Sequence, residues 1–137
     1  MKVLTLSSVL IGQLASSAHA DNIPTCPTPS GVAAVGLPDG LAPPERQALQ
    51  EKFGDIVLPG QQFDATDIMT TGKNRRFIFV WNSGAKWLVA TEHGGRGYND
   101  AIFLFNVGDE GKSASLVATQ ITYPGGVCSA ALSLINR

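Results

Sequence analysis

Apolar residues alternate with a period of two over much of the second half of the chain, and this pattern constrains the fold more than any other feature. The alternating runs are 77–81, 87–90, 102–107 and 117–123, with 63–69 as an earlier candidate. A period of two places successive side chains on opposite faces of an extended chain, so each run predicts a β-strand. The breaks between runs are short and polar, as in Asn82-Ser83-Gly84, which favours antiparallel pairing of consecutive strands. The sequence therefore predicts an antiparallel meander of about five strands.

Two further segments are candidates for helices. Pro43 and Pro44 suit the first turn of a helix, residues 45–53 continue it, and Gly54 stands where a C-terminal cap is expected. The segment 127–135 fits either a helix face or a strand. These elements predict an α+β fold in which one or two short helices pack on one face of the sheet. Because two strands are apolar on both faces, the N-terminal leader, a partner protein or a second copy in a homodimer is expected to cover the other face.

The N-terminus has the three parts of a secretory signal, namely Lys2, an apolar stretch over residues 3–14, and Ala18-His19-Ala20. The apolar stretch is shorter than the roughly 20 residues needed to span a bilayer. We therefore expect residues 1–20 to be removed by cleavage after Ala20 and the protein to be periplasmic. The rest divides into an irregular leader rich in proline and glycine, residues 21–44, and a single α+β domain, residues 45–137.

The chain has two cysteines, Cys26 and Cys128, near opposite ends of the exported part. In an oxidising compartment an even count favours a disulfide, with two buried thiols or a catalytic cysteine as alternatives. Such a bridge is expected to tie the leader to the last element of the domain.

Charge and composition argue against several classes of function. The formal net charge is −1, so the chain lacks the basic field that nucleic acid binding requires. Only His93 remains as a histidine after export, and no cluster or spacing indicates a metal site or a cofactor. No serine stands in a nucleophile motif. Asp64 and Asp67 are three apart, so on a strand they face opposite ways as ordinary solvated residues. We expect a protein that is not an enzyme, with a hydrolase centred on His93 as an outside alternative.

The most unusual stretch is 92–100, which lies between two predicted strands and has three glycines in four positions. Its candidate partner-binding residues are His93, Gly94, Gly95, Arg96, Gly97, Tyr98 and Asp100. Arginine and tyrosine are common interface anchors, histidine and aspartate can form hydrogen bonds, and glycines permit close approach. A flexible hairpin loop with solvated charges is the alternative interpretation.

Two other groups of side chains have both a structural and a functional interpretation. The aromatic set Phe77, Phe79, Trp81 and Trp87 is expected to be core packing between adjacent strands, with a ligand-stacking surface as the alternative. Arg75 and Arg76 are expected to lie at a solvated hairpin tip, with an anion-binding patch as the alternative.

A small exported β domain with a pair of cysteines and one glycine-rich polar loop resembles the periplasmic immunity proteins of type VI secretion amidase effectors. The matching residues are His93-Gly94-Gly95-Arg96-Gly97. Proteins of that family block the effector by inserting a loop into its cysteine–histidine active site. The resemblance implies an inhibitor whose partner is a peptidoglycan-degrading enzyme. A non-catalytic envelope module, either structural or binding a small ligand at Trp81 and Trp87, is the alternative from another class.

Overall fold

The computed structural model describes residues 24–35, 43–68, 71–108 and 113–137, so the predicted signal segment lies outside the described residues. The elements are β1 (Ala33–Val35), α1 (Pro43–Phe53), β2 (Arg75–Ser83), β3 (Lys86–His93), β4 (Asn99–Val107), β5 (Ala114–Thr122) and α2 (Val127–Ile135). The α+β class is confirmed. Within the described ranges, neither helix is long and apolar enough to cross a bilayer.

The five strands form one antiparallel sheet in sequence order, β1-β2-β3-β4-β5, which confirms the predicted meander. Its first strand differs from the prediction. Residues 63–68 are irregular, and the first strand is β1, a short part of the leader in which Ala34 pairs with Trp81. Residues 63–68 do not join the sheet because the Asp64 carboxylate bonds to the backbone amides of Thr71 and Gly72. Such local bonds compete with strand pairing.

A register shift in β2 redistributes the aromatic side chains. The β2–β3 pairing slips between Phe77 and Phe79, as in a β-bulge. A bulge adds one residue to a strand and so breaks the alternation of faces. Phe77 therefore packs on one face of the sheet, whereas Phe79 and Trp81 pack on the other, with their rings stacked 4.7 Å apart. The predicted unbroken alternation over residues 77–81 is therefore wrong at Phe77, whereas the expected packing of these rings in the core is confirmed.

Each face of the sheet has its own apolar core and its own helix. On the first face, α2 inserts Ala131 and Leu134 against Leu88 and Ile102. We call this face A. On the second face, which we call face B, the α1 residue Leu49 packs into a cluster with these strand residues: Phe77, Val80, Val89, Ala101, Phe103 and Phe105. The helices thus cover opposite faces, not one face as predicted, and this accounts for strands that are apolar on both sides.

The ambiguous C-terminal segment is a helix, and a disulfide attaches the leader to it. Val127, Ala130, Ala131 and Leu134 recur at helical spacing and are buried on face A. Cys26 and Cys128 are bonded, with their Cα atoms 5.3 Å apart. The predicted bridge is therefore present, and it is compatible with an oxidising, exported environment.

Candidate functional site

The predicted binding segment forms a short, well-supported loop between β3 and β4. β3 ends at His93 and β4 begins at Asn99, which leaves residues 94–98 as the β3–β4 loop. The Gly94 amide donates to the Asn74 carbonyl at 2.9 Å, and the Gly95 amide donates to the Ala65 carbonyl at 3.2 Å. The loop therefore lies against two other segments of the same chain.

Gly94 is required by this packing. A Cβ atom at this position would lie 2.0 Å from the Asp64 carbonyl oxygen and 2.6 Å from the Ala65 Cα. Both are backbone atoms that cannot rotate away, so only glycine fits. The close approach expected between Gly94 and a partner is instead an approach to the protein's own chain.

The segment beneath the loop is itself fixed by Asp64. This residue is only 3% exposed, and its carboxylate accepts hydrogen bonds from the amides of Thr71 at 3.0 Å and Gly72 at 2.8 Å. The prediction that Asp64 is an ordinary solvated strand residue is wrong. Asp67 is exposed and forms a long ion pair, 3.3 Å, with Arg96.

A buried polar network anchors the other end of the loop. Glu92 accepts hydrogen bonds from the Arg76 Nε on one carboxylate oxygen and from the Tyr98 hydroxyl on the other. The Arg76 guanidinium also lies over the Phe63 ring, 4.2 Å from its centroid, as in a cation–π contact. Arg76 is 3% exposed, so the prediction of a solvated hairpin tip is wrong for this residue. Tyr98 is 36% exposed, but its hydroxyl is used within the domain.

Asp100 extends this network on the next strand. It stands directly across from Glu92 in the β3–β4 register and is 3% exposed. Burial raises the pKa of Asp100 to about 6, and the neighbouring Glu92 carboxylate contributes to the rise. Tyr98 is affected in the same way, because burial and its bond to Glu92 raise the pKa of the phenol. Asp100 is therefore out of reach of a binding partner, in contrast to its predicted hydrogen-bonding role.

His93 is half-buried at the start of the loop. Its Nε2 atom lies 3.2 Å from the Asn74 side-chain nitrogen. The pKa of His93 is lowered, first by burial and second by the charge of Arg75. Both effects favour the neutral imidazole, and in the tautomer protonated on Nδ1 its Nε2 accepts a hydrogen bond from the Asn74 amide. Among the residues that the structure describes, no group of three acidic, histidine or cysteine side chains is placed to hold a metal ion.

The surface that remains accessible is the tip of the loop. The Arg96 side chain is 92% exposed. Gly95 and Gly97 flank it with φ of +86° and +74°, in the left-handed region that favours glycine. Beside the tip is a shallow, open cleft of about 330 Å³, lined by Asp67, Asn74, His93, Gly94, Gly95 and Arg96. The predicted site thus separates into a supporting part, which includes Gly94, Tyr98 and Asp100, and a contact part centred on Arg96.

Sequence reasoning missed a second cleft on face B. It has a volume of about 240 Å³ and lies between α1 and residues 54–58, with Leu49 and Phe77 among its lining residues. The predicted pairing of Trp81 and Trp87 in one ligand surface is wrong, because Trp81 is buried on face A and Trp87 packs on face B. The second cleft depends on how α1 docks, which no local pattern in the sequence reveals.

Comparison with known proteins gives no guide to the function: no family model, no curated protein and no solved structure matches the chain.

Proposed function

We propose that this protein is a periplasmic inhibitor that binds a peptidoglycan-degrading enzyme and blocks its active site with the β3–β4 loop. The observation that supports this proposal best is the combination of a braced loop and an exposed cation at its tip. Both ends of the loop are bonded to the domain, while the Arg96 side chain is 92% exposed.

A braced loop is suited to inhibition because it loses little conformational freedom on binding. Ordering a rotamer-rich side chain at an interface costs about 0.5–1.5 kcal/mol, and a loop that is already ordered avoids much of the backbone cost. Gly94 and Gly95 are bonded to the chain below, and the Asn99 side chain donates to the Gly97 carbonyl at 2.6 Å. These bonds preorganise the loop, which argues against the alternative interpretation of a flexible hairpin loop.

The tip has the shape and donors that suit entry into a cleft. Gly95 and Gly97 have no side chains, so the exposed Arg96 side chain has no neighbouring side chain on either side of it in the loop. Its guanidinium offers five hydrogen-bond donors to carboxylates or carbonyl oxygens. The ion pair with Asp67 is exposed and 3.3 Å long, so it contributes little and can be exchanged for a partner's oxygen.

The export pattern, the disulfide and the surroundings of His93 support the same proposal. Residues 1–20 have the pattern of an export signal, and the Cys26–Cys128 bridge suits an oxidising compartment. The lowered pKa of His93 favours its neutral form, and its Nε2 atom lies 3.2 Å from the Asn74 amide nitrogen. We therefore assign His93 a hydrogen-bonding role at the rim of the contact surface.

The direct test measures inhibition of a peptidoglycan hydrolase encoded beside this protein's gene, such as a cysteine–histidine amidase. We expect one molecule of the oxidised protein to inhibit one molecule of enzyme in a peptidoglycan hydrolysis assay. Arg96→Ala should weaken binding by about 30-fold or more, the loss of roughly 2 kcal/mol that defines a hot spot. Arg137→Ala, which removes another exposed arginine at the C-terminus, serves as the matched control and should bind normally.

Tyr98→Ala is not a clean test of binding, because it also removes a donor from the buried Glu92. Two results would contradict the proposal. One is the absence of binding and inhibition at a large molar excess of the oxidised protein. The other is inhibition that Arg96→Ala leaves unchanged.

The cleft on face B favours a second candidate, a small-ligand module of the envelope. Its lining combines apolar Leu49, Ile56 and Phe77 with polar Arg46 and Asp55, the mixture typical of small-molecule pockets. A peptidoglycan fragment that perturbs the NMR signals of Phe77 and Ile56, with those of residues 94–98 unchanged, would support this candidate over the inhibitor.

A further inference from the structure

The exposed apolar side chains of this protein are concentrated at one edge of the sheet. Among the described residues, six large apolar or aromatic side chains are at least 36% exposed. Four of them lie on β5 or directly after it: Leu116 at 37%, Val117 at 53%, Ile121 at 69% and Tyr123 at 85%. Single exposed apolar residues are ordinary, but a cluster along one strand marks a contact surface.

The backbone of the same strand is also available for pairing. β5 is the last strand of the sheet, it is nine residues long, and no strand within the described residues pairs with its outer side. Natural edge strands are usually protected by charged side chains, prolines, β-bulges or short length. β5 has no charged residue and no proline, and the register shift at Val117 is its one protection among these, which leaves residues 118–122 as an uninterrupted edge.

The opposite edge of the sheet provides an internal contrast. β1 has only three residues, and Pro24, Pro27 and Pro29 precede it. Its shortness and its prolines prevent extended pairing with another chain. One edge of the sheet is thus protected and the other is open, as expected where the open edge has a partner.

We propose that β5 pairs antiparallel with β5 of a second copy, across a two-fold axis near Thr119, and joins the two sheets into one of ten strands. A two-fold axis brings identical strands together, so any charge on β5 would face or neighbour its own copy. The absence of charge makes β5 compatible with itself. A register shift interrupts β5 near Val117, but residues 118–122 pair regularly with β4 and supply the central part of the contact.

The size of the contact fits a closed dimer. Complete burial of the four exposed side chains in two copies would give an interface of at most on the order of 1,000 Å², which is the lower limit for a specific interface. Leu116 and Ile121 lie on the same face of the sheet, because they pair with Phe105 and Ala101, which both belong to the face B cluster. The dimer would therefore extend the face B core across the axis.

The first experiment measures molar mass by light scattering and sedimentation over the micromolar to submillimolar range. We expect the native oxidised protein to reach a plateau at twice the mass of one chain. Thr119→Lys places two like charges on side chains whose Cβ atoms are about 4.5–5.5 Å apart across the axis, and it should weaken the dimer at least about tenfold, the equivalent of 1.4 kcal/mol. Gln62→Lys, at an exposed position on the segment 61–68, adds the same charge and should leave the dimer intact.

The second experiment tests the geometry without altering β5. The exposed Ala33 on β1 is replaced with cysteine, and a spin label is attached to it. In a continuous ten-stranded sheet, the two labels of the dimer are nine strand spacings apart. At 4.8 Å per spacing, this corresponds to about 43 Å. Dipolar spectroscopy should give a distance near this value. A protein that stays monomeric throughout, a dimer insensitive to Thr119→Lys, mass growth without a plateau, or a label distance far from this value would each overturn the proposal. Circular dichroism of each variant checks that its fold is retained.

Discussion

Replacing Asp100 with asparagine is expected to stabilise the protein at neutral pH, although Asp100 is a buried residue within a polar network. The pKa of this carboxyl is raised from 3.8 to about 6, first by burial and then by Glu92. The folded state therefore holds a proton on Asp100 at pH values where the unfolded state has released it. Between these two pKa values the native state binds more protons, so this residue makes stability fall as pH rises. The contribution of Asp100 to the unfolding free energy is most favourable below about pH 4 and is lost above about pH 6.

The magnitude follows from the size of the shift. At 1.36 kcal/mol per pKa unit, a rise from 3.8 to about 6 corresponds to roughly 3 kcal/mol of unfolding free energy. This is an upper limit, because water and side-chain movement relieve part of the repulsion when Asp100 ionises. Within the described residues, Arg76 forms its ion pair with Glu92, and no ion pair places a cation on Asp100. Asparagine keeps the shape, removes the charge and offers an amide donor towards Glu92. We therefore expect Asp100→Asn to gain about 1–3 kcal/mol above pH 7.

The assay is urea unfolding of the oxidised protein at a series of pH values from 3.5 to 8. At the acidic end, the unfolding free energy of Asp100→Asn should equal that of the native protein or be lower. As pH rises from 4 to 6, the unfolding free energy of the variant should increasingly exceed that of the native protein. Asp67→Asn is the matched control, because Asp67 is exposed and should change stability by less than about 0.5 kcal/mol. A variant that is less stable than the native protein at pH 7.5, or a difference that does not depend on pH, would show that ionised Asp100 does not destabilise the fold.

Three further substitutions test the support of the fold, each by urea unfolding. Replacing both Cys26 and Cys128 with serine should lower the unfolding free energy by about 2–5 kcal/mol, because the bridge spans 102 positions of the chain; an unchanged midpoint would contradict this. Gly94→Ala should cost about 1–3 kcal/mol because its new Cβ meets fixed backbone, whereas Gly108→Ala, whose Cβ meets a rotatable serine hydroxyl, should cost clearly less. Tyr98→Phe should cost about 1–3 kcal/mol, since it leaves a buried carboxylate oxygen without its donor, and equal stability would show that solvent replaces the phenol.

The sheet could be predicted from the sequence because its signal is local. Alternation identifies β2 to β5, and the short breaks between them set their order. The bulge at Phe77 and Phe79 could not be predicted, because β2 is apolar on both faces and an extra residue leaves no gap in the pattern. β1 could not be predicted for another reason, because a strand of three residues among prolines and glycines is too short to show a periodicity.

The candidate site was predicted as one segment of the chain, and the contacts of its residues depend on segments distant in sequence. Gly94 is fixed by Asp64, 30 positions earlier, and Tyr98 is bonded to Glu92, which in turn binds Arg76 on another strand. Two arginines next to each other indicate a solvated turn when only local composition is considered. The start of a strand there places one of them on a covered face, and only the sheet register reveals this.

These contacts also explain how a small domain with few charged residues can hold a loop firmly. The end of the sheet beside the loop is polar, with Arg76, Glu92 and Asp100 aligned across three adjacent strands. An apolar end would leave the loop to pack loosely, whereas charge-assisted hydrogen bonds restrict direction as well as distance. The buried carboxylate pair opposes folding at neutral pH, and the network orients Tyr98 and the loop behind Arg96. If Asp100→Asn gains stability yet loosens the loop, as amide hydrogen exchange at residues 94–98 would reveal, then the second carboxylate is kept for the geometry of the loop and not for the stability of the fold.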